Sequence, residues 1–253
     1  MIETFSVTIP ELTGDKERKA YVYLPVGYGE KKKYPVMYMF DGHNLFDDGE
    51  ATFGRSWRLA DYLDFTRTQI IIAAVECNHE ENKRLEEYSP VDFYDRDGSF
   101  IKAHGKQYMH WLIKKFKPLI DKRYKTASDR EYTAIGGSSM GGLMTLYALS
   151  RYNRTFSKGA ALSPSLWVGG GEVPQFFKKA KYGKDTVIYT DYGSKELANH
   201  SFQQEVFAEC AQRMISKGVY LTARIVPGGT HCEACWEKCI PFFMNVLGFE
   251  PEN

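Results

Sequence analysis

The sequence predicts an α/β fold: a central, mostly parallel sheet flanked by helices, in a single domain spanning residues 1–253. Three observations carry this reading. Short apolar runs recur along the whole chain. Several of them are continuous rather than alternating, as strands buried on both faces require. Segments of helical period lie between them, which is the pattern of βαβ units.

Eight runs read as strands, over residues 5–9, 20–24, 36–40, 70–75, 132–135, 159–162, 187–190 and 221–226. Nothing helical separates the first two, so an antiparallel hairpin is expected to start the sheet. Four segments read as helices. Over 108–120, Tyr108, Met109, Leu112, Phe116, Leu119 and Ile120 recur at helical spacing and make one apolar face, with Trp111 beside them. Pro118 lies inside this segment and is expected to kink or end it. The other three cover 140–150, 202–216 and 234–247, the last with a kink expected at Pro241. Residues 78–104 are polar, carry Pro90 and Gly98, and show no clear period. A connection that long in a compact domain is usually functional or mobile.

Composition narrows the function. Lys and Arg number 33 against 32 Asp and Glu, a net charge of +1. That gives no basis for nucleic acid or an anionic membrane as the main partner. The longest aliphatic run, 70–75, is far short of the ~20 residues a bilayer span needs. Met1-Ile2-Glu3-Thr4 lacks the basic and apolar regions of a signal peptide, so a cytoplasmic location is expected. The five cysteines are an odd count and read as free thiols.

The chemistry lies after the strand 132–135, in Gly136-Gly137-Ser138-Ser139-Met140-Gly141-Gly142. Only one frame fits G-x-S-x-G: Gly137, Ser139 and Gly141. The motif follows a strand and opens a helix, the context it requires. Glycines on both sides remove side chains where strand and helix crowd, and Ser139 is left at the C-terminal edge of the sheet. The N–H of Met140, at the helix start, can face a developing oxyanion.

A serine hydroxyl is a weak nucleophile and needs a base. In this arrangement the order along the chain is serine, acid, histidine. Two histidines follow Ser139. His231 sits after the strand 221–226 and before the last helix, at the sheet edge that carries Ser139. His200 lies among polar residues at a helix start and reads as a solvated surface histidine. The acid is expected after the strand 187–190, where both Asp191 and Glu196 are candidates. The loop Asp41-Gly42-His43-Asn44 is expected to give the second oxyanion donor, the N–H of His43.

These stretches resemble the esterase D-like family of α/β-hydrolases, which includes acetyl-xylan and feruloyl esterases, enterochelin esterases and mycolyltransferases. The resemblance rests on Tyr34-Pro35-Val36-Met37-Tyr38-Met39-Phe40-Asp41-Gly42, on residues 135–143, on Leu162-Ser163-Pro164-Ser165-Leu166-Trp167, and on Gly228-Gly229-Thr230-His231. Together they span nearly the whole chain. The family's acid follows a Gly-Thr-x motif, and Gly193-Ser194-Lys195-Glu196 is similar, with Ser for Thr. The resemblance therefore favours Glu196, and the departure keeps Asp191 open. It also maps the family's oxyanion donor onto His43.

The expected activity is serine ester hydrolysis through an acyl-enzyme, on short-acyl or aromatic esters of carbohydrates. A siderophore trilactone is the alternative substrate, and acyl transfer the alternative reaction. Trp57 and Trp167 are candidate substrate contacts, with Phe53, Tyr88, Phe93 and Tyr94 as further aromatic surfaces. No cofactor is needed, and no metal is expected. Cys232, Cys235 and Cys239 share one helix face with His231 beside them, which suits buried thiols better than a tetrahedral ion. Lys31-Lys32-Lys33 reads as a solvated loop.

Overall fold

The computed structural model describes residues 1–31, 33–198, 200–249 and 251. Its strands are β1 (Ile2–Thr8), β2 (Glu17–Tyr23), β3 (Val36–Met39), β4 (Ile71–Val75), β5 (Phe93–Tyr94), β6 (Phe100–Ile101), β7 (Thr133–Ser138), β8 (Lys158–Leu162), β9 (Val187–Gly193) and β10 (Tyr220–Val226). Eight of them form one sheet in the order β1-β2-β4-β3-β7-β8-β9-β10, and β5 and β6 make a separate hairpin. β1 is antiparallel to β2 and β2 to β4; every later pairing in the large sheet is parallel. All eight expected strands are present, with shifted ends.

Burial follows from position. β3, β4 and β7 lie mid-sheet and are buried at every residue. β1, on the edge, leaves every residue at least partly exposed. Along β3 and its extension the side chains alternate between two cores. Val36, Tyr38 and Phe40 join the core that holds Trp111, Phe116, Leu143 and Leu146. Met37 and Met39 join the opposite one, with Trp57, Leu63, Trp236 and Phe243. Helices thus cover both faces, as a parallel sheet requires.

Several local features add to the expectation or depart from it. A single helical turn, Pro10–Thr13, sits between β1 and β2, opened by a proline at its first position. Pro118 does not end its helix. The chain runs helically from Gly105–Trp111 through a π-helical turn, Leu112–Phe116, into Lys117–Arg123. Pro118 brings no N–H and its ring crowds the Lys114 carbonyl, and a wide turn accommodates both. The last helix, Glu233–Val246, likewise continues through Pro241. Two short helices, Leu59–Thr66 and Val173–Lys178, have no counterpart in the sequence reading. The segment 78–104 holds the helix Lys83–Glu87 and the β5–β6 hairpin.

The chain builds outward from β3 to β4 on one side, and from β7 through β10 on the other. The direction reverses between β3 and β7, so their loops part and leave a crevice at the carboxyl ends of the strands. Ser139 stands at the end of β7, beside that point.

Candidate active site

Ser139 is the hinge between β7 and the helix Met140–Arg151. Its backbone is held at φ 57°, ψ −121°, a region that costs a non-glycine residue of order 1–3 kcal/mol. The Ser139 N–H donates to the Leu162 carbonyl at 3.0 Å, and its own carbonyl accepts from the Ser165 N–H at 3.0 Å. Gly141 is needed here: a β-carbon on it would stand 2.8 Å from that of Phe40. Ser139 Oγ lies 3.4 Å from Ser165 Oγ, which is its hydrogen-bond partner rather than His231. Met140 is the first helical residue, where backbone N–H groups have no partner within the helix.

The acid and histidine loops come from β9 and β10, which pair in parallel up to Gly193 and Val226. Just beyond, Gly193 and Gly229 meet so closely that a β-carbon on Gly193 would fall 2.3 Å from the Gly229 carbonyl carbon. The Lys195 N–H donates to the Gly229 carbonyl, and the Gly228 N–H to Ser194 Oγ. This contact sets Glu196 against His231, with Oε2 2.6 Å from Nδ1. The other oxygen, Oε1, accepts from Ser163 Oγ at 2.7 Å and from the Gly193 N–H at 2.8 Å. Ser163 in turn accepts from Trp236 Nε1 at 3.1 Å. Burial opposes the Glu196 charge, but the bonds from His231, Ser163 and Gly193 outweigh it and hold the carboxyl below its usual range. The His231 ring meets the Trp236 ring edge to face at 5.1 Å.

Asp191 takes no part in this arrangement. It is 1% exposed, accepts from Tyr189 OH at 2.6 Å, and does not line the cleft. Burial pushes its carboxyl up, against the hydrogen bonds it accepts.

Ser139, Met140, Ser165, Trp167, Glu196 and His231 line one cleft of about 460 Å3, together with Arg84, Leu85, Asp95, Arg96, Ser163, His200 and Gln203. Trp167 is where the sequence reading expects it, with the Arg96 guanidinium 5.3 Å from its ring and Phe93 edge-on behind it. Trp57 is a correction. It is 2% exposed and packs on Trp236 and Phe243, beneath the floor and away from the cleft, because its apolar ring completes that core. Tyr88 is fully buried, with its hydroxyl on the Asp41 N–H. Phe53 and Tyr94 are exposed but not at the cleft. His200, read as a solvated surface residue, is exposed yet lines the cleft.

His43 turns its side chain away from the cleft, 4% exposed, with Nε2 2.9 Å from Thr52 Oγ1. Its loop is pinned by Arg84, whose Nε and NH2 each lie 2.8 Å from a carboxylate oxygen of Asp41. Arg84, Asp95, Arg96 and Gln203 escaped the sequence reading. The first three sit in the aperiodic segment 78–104, whose length was the only signal.

Cys235 and Cys239 are buried and Cys232 partly so, all as free thiols. Among the described residues, the grouping of His, Cys and carboxylate side chains close enough to hold an ion lies elsewhere, at His43, Cys77 and His79.

Known proteins give this geometry its context. A feruloyl-esterase-bearing protein of Xylanibacter ruminicola, "Endo-1,4-beta-xylanase/feruloyl esterase", is 26% identical over 238 residues, covering 91% of this chain and 29% of that protein. This chain therefore spans under a third of that relative's length. The solved structure of an IroE-like serine hydrolase from Shewanella oneidensis superposes with a TM-score of 0.75 at 19% identity, covering 98% of this chain and 79% of that one. The structure titled "Enterobactin and Salmochelin Hydrolase IroE" gives 0.67 at 16% identity, covering 98% and 95%. These likenesses establish the α/β-hydrolase fold. The family model described as "Putative esterase" matches residues 12–241; the chain belongs to that family and is an esterase.

Proposed function

We propose that the chain acts as one α/β-hydrolase domain, hydrolysing short-acyl or aromatic esters of carbohydrates through an acyl-enzyme on Ser139. The observation that carries this is the 2.6 Å contact of His231 Nδ1 with Glu196 in the cleft that Ser139 enters. Ser139 Oγ attacks the ester carbonyl while His231 Nε2 takes its proton. Glu196 holds the imidazole in the tautomer that leaves Nε2 free and stabilises the imidazolium. The N–H groups of Met140 and His43 receive the oxyanion. His231 returns the proton to the leaving alcohol, then draws one from water to release the acid.

The cleft supports the substrate class. Most of its lining residues are polar, and they surround one half-buried aromatic face, Trp167, capped by Arg96. That suits a small acyl group or a phenolic ring on a sugar better than a fatty chain. A catecholate trilactone is the second reading, favoured by Arg84, Arg96 and His200 along the walls. Five free thiols suit a reducing compartment, and we place the enzyme in the cytoplasm. No helix among the described residues is long and apolar enough to cross a membrane.

Two measurements test this. Fluorophosphonate should add one label to the wild-type mass and none to Ser139→Ala; undiminished labelling of the variant would remove the nucleophile assignment. A panel of acyl p-nitrophenyl esters, acetylated and feruloylated xylo-oligosaccharides and a catecholate trilactone should show preference for the carbohydrate esters. Preference for long acyl chains, or for the trilactone alone, overturns the substrate class and leaves the triad standing.

A further inference from the structure

We propose that His43, Cys77 and His79 form a binding site for a thiophilic divalent cation of the zinc class, set behind the loop that carries the oxyanion donor. One ligand atom from each of the three lies within 4.8 Å of the other two. They are brought together by two adjacent parallel strands: His43 follows β3, and Cys77 and His79 follow β4.

His43 gives an independent sign. Its Nδ1 is buried and has no hydrogen-bond partner, a condition rare for a buried polar atom. Its other nitrogen, Nε2, lies 2.9 Å from Thr52 Oγ1. With Nε2–H donating to Thr52, Nδ1 presents a bare lone pair. His79 repeats the pattern. Its Nδ1 lies 4.0 Å from Cys77 Sγ, while Nε2 lies 3.4 Å from the Glu76 carboxylate. Each imidazole thus has an oxygen partner on one nitrogen, which fixes its ring and leaves the other nitrogen for an ion, as in metal-ligating histidines.

Two imidazoles and a thiolate suit zinc in charge and softness. With Zn–S of about 2.3 Å and Zn–N of about 2.0 Å, ligand atoms stand about 3.5 Å apart. The cluster must contract by roughly 1 Å, and the half-exposed His79 ring has the freedom to swing in. Solvent reaches the site on the His79 side, so water takes the fourth position. Binding breaks the Cys77 S–H bond, forms Zn–S, and releases one proton to solvent.

Occupation draws the His43 side chain toward Cys77 and with it the backbone N–H assigned to the oxyanion. The cation is therefore expected to slow hydrolysis. This consequence rests on the proposed function; the binding itself does not.

The experiment uses the full, reduced chain after chelator treatment. Zinc affinity is read by competition with a chromophoric chelator, and Co2+ is titrated for its thiolate charge-transfer band. The expected result is one equivalent bound, with the charge-transfer band and proton release. The band should vanish in Cys77→Ser, and affinity should fall about tenfold or more in His79→Ala, a surface change that tests the site even if Cys77→Ser folds poorly. Cys232→Ser should bind as wild type. Absence of binding by the wild type overturns the proposal, as does loss in Cys232→Ser with retention in Cys77→Ser. Zinc that binds without slowing ester hydrolysis leaves the site standing and removes its coupling to His43.

Discussion

Two groups of loops flank Ser139, and they treat charge in opposite ways. After β9 and β10, Glu196 and His231 form a pair in which the carboxylate is 7% exposed and the imidazole 46%. On the other side the carboxylates of the loops after β3 and β4 are held by arginines: Glu87 by Arg18 of β2, both 3% exposed, and Asp41 by Arg84, at 7% and 29%. An imidazole at a solvent-reached edge can take up and return a proton within a turnover. A guanidinium cannot lose its charge, so the second group fixes geometry and does no acid–base work. The mobile charge sits where Gly193 and Gly229 let two backbones touch. The fixed charges sit where a long, aperiodic segment must be tied to the sheet.

The largest expected effect falls on the first group. Glu196→Gln should lower kcat by about a thousand- to ten-thousand-fold, because an amide no longer favours the tautomer with Nε2 free or stabilises the imidazolium. Stability should respond as well. The folded Glu196 carboxyl titrates below its ordinary value of 4.5. Its contribution is therefore fully present above that ordinary value and is lost as pH falls through the lower folded value. Urea midpoints for wild type and variant should differ near neutral pH and converge below pH ~4. A variant of near-normal kcat would dissolve the contrast between the two loop groups.

Glu87→Gln probes the second group with the opposite signature. Glu87 Oε2 lies 2.8 Å from Arg18 NH2, and Oε1 accepts from the Asn78 N–H at 2.6 Å. Removing its charge leaves Arg18 buried without a counter-ion, at a cost of about 3 kcal/mol. Urea unfolding should register that loss, while kcat at a temperature where the variant stays folded should change less than about threefold. A large drop in kcat with unchanged stability would place the segment 78–104 in the chemistry rather than in its support.

The same contrast governs what the sequence made legible. β3 and β4 are continuous apolar runs because both faces are covered, so their burial is written in composition. Gly137, Ser139 and Gly141 are legible because steric crowding at a strand–helix turn tolerates few residue types. The choice of Glu196 over Asp191 rests on family likeness, since Asp191 lies nearer the strand end and only the side-chain direction separates them. Arg84 and Arg96 left no periodic trace: each acts through one long side chain on an irregular backbone. Trp57 shows the converse limit, for an aromatic near a site in sequence is as readily its foundation as its lining. At Pro118 the sequence leaves a kink or an end open, because the π-helical turn that carries the chain through depends on how the helix packs.

The smallest expected effect is that of Asp191→Asn. Asp191 projects from β9 into the core behind it, where Tyr189 OH donates to its carboxylate at 2.6 Å. An amide oxygen accepts the same bond, and nothing in this contact reaches His231. Activity should stay within about threefold of wild type. The informative readout is stability against pH. Burial raises the folded carboxyl above its ordinary 3.8, so the native state binds this proton more tightly than the unfolded chain. The carboxyl therefore costs nothing below the unfolded value and opposes folding increasingly as pH rises through the folded one. Asparagine carries no such penalty. The variant should gain on wild type as pH is raised from about 4 toward neutrality. A collapse of kcat in Asp191→Asn, with Glu196→Gln active, would move the acid from the loop after β9 onto the strand itself.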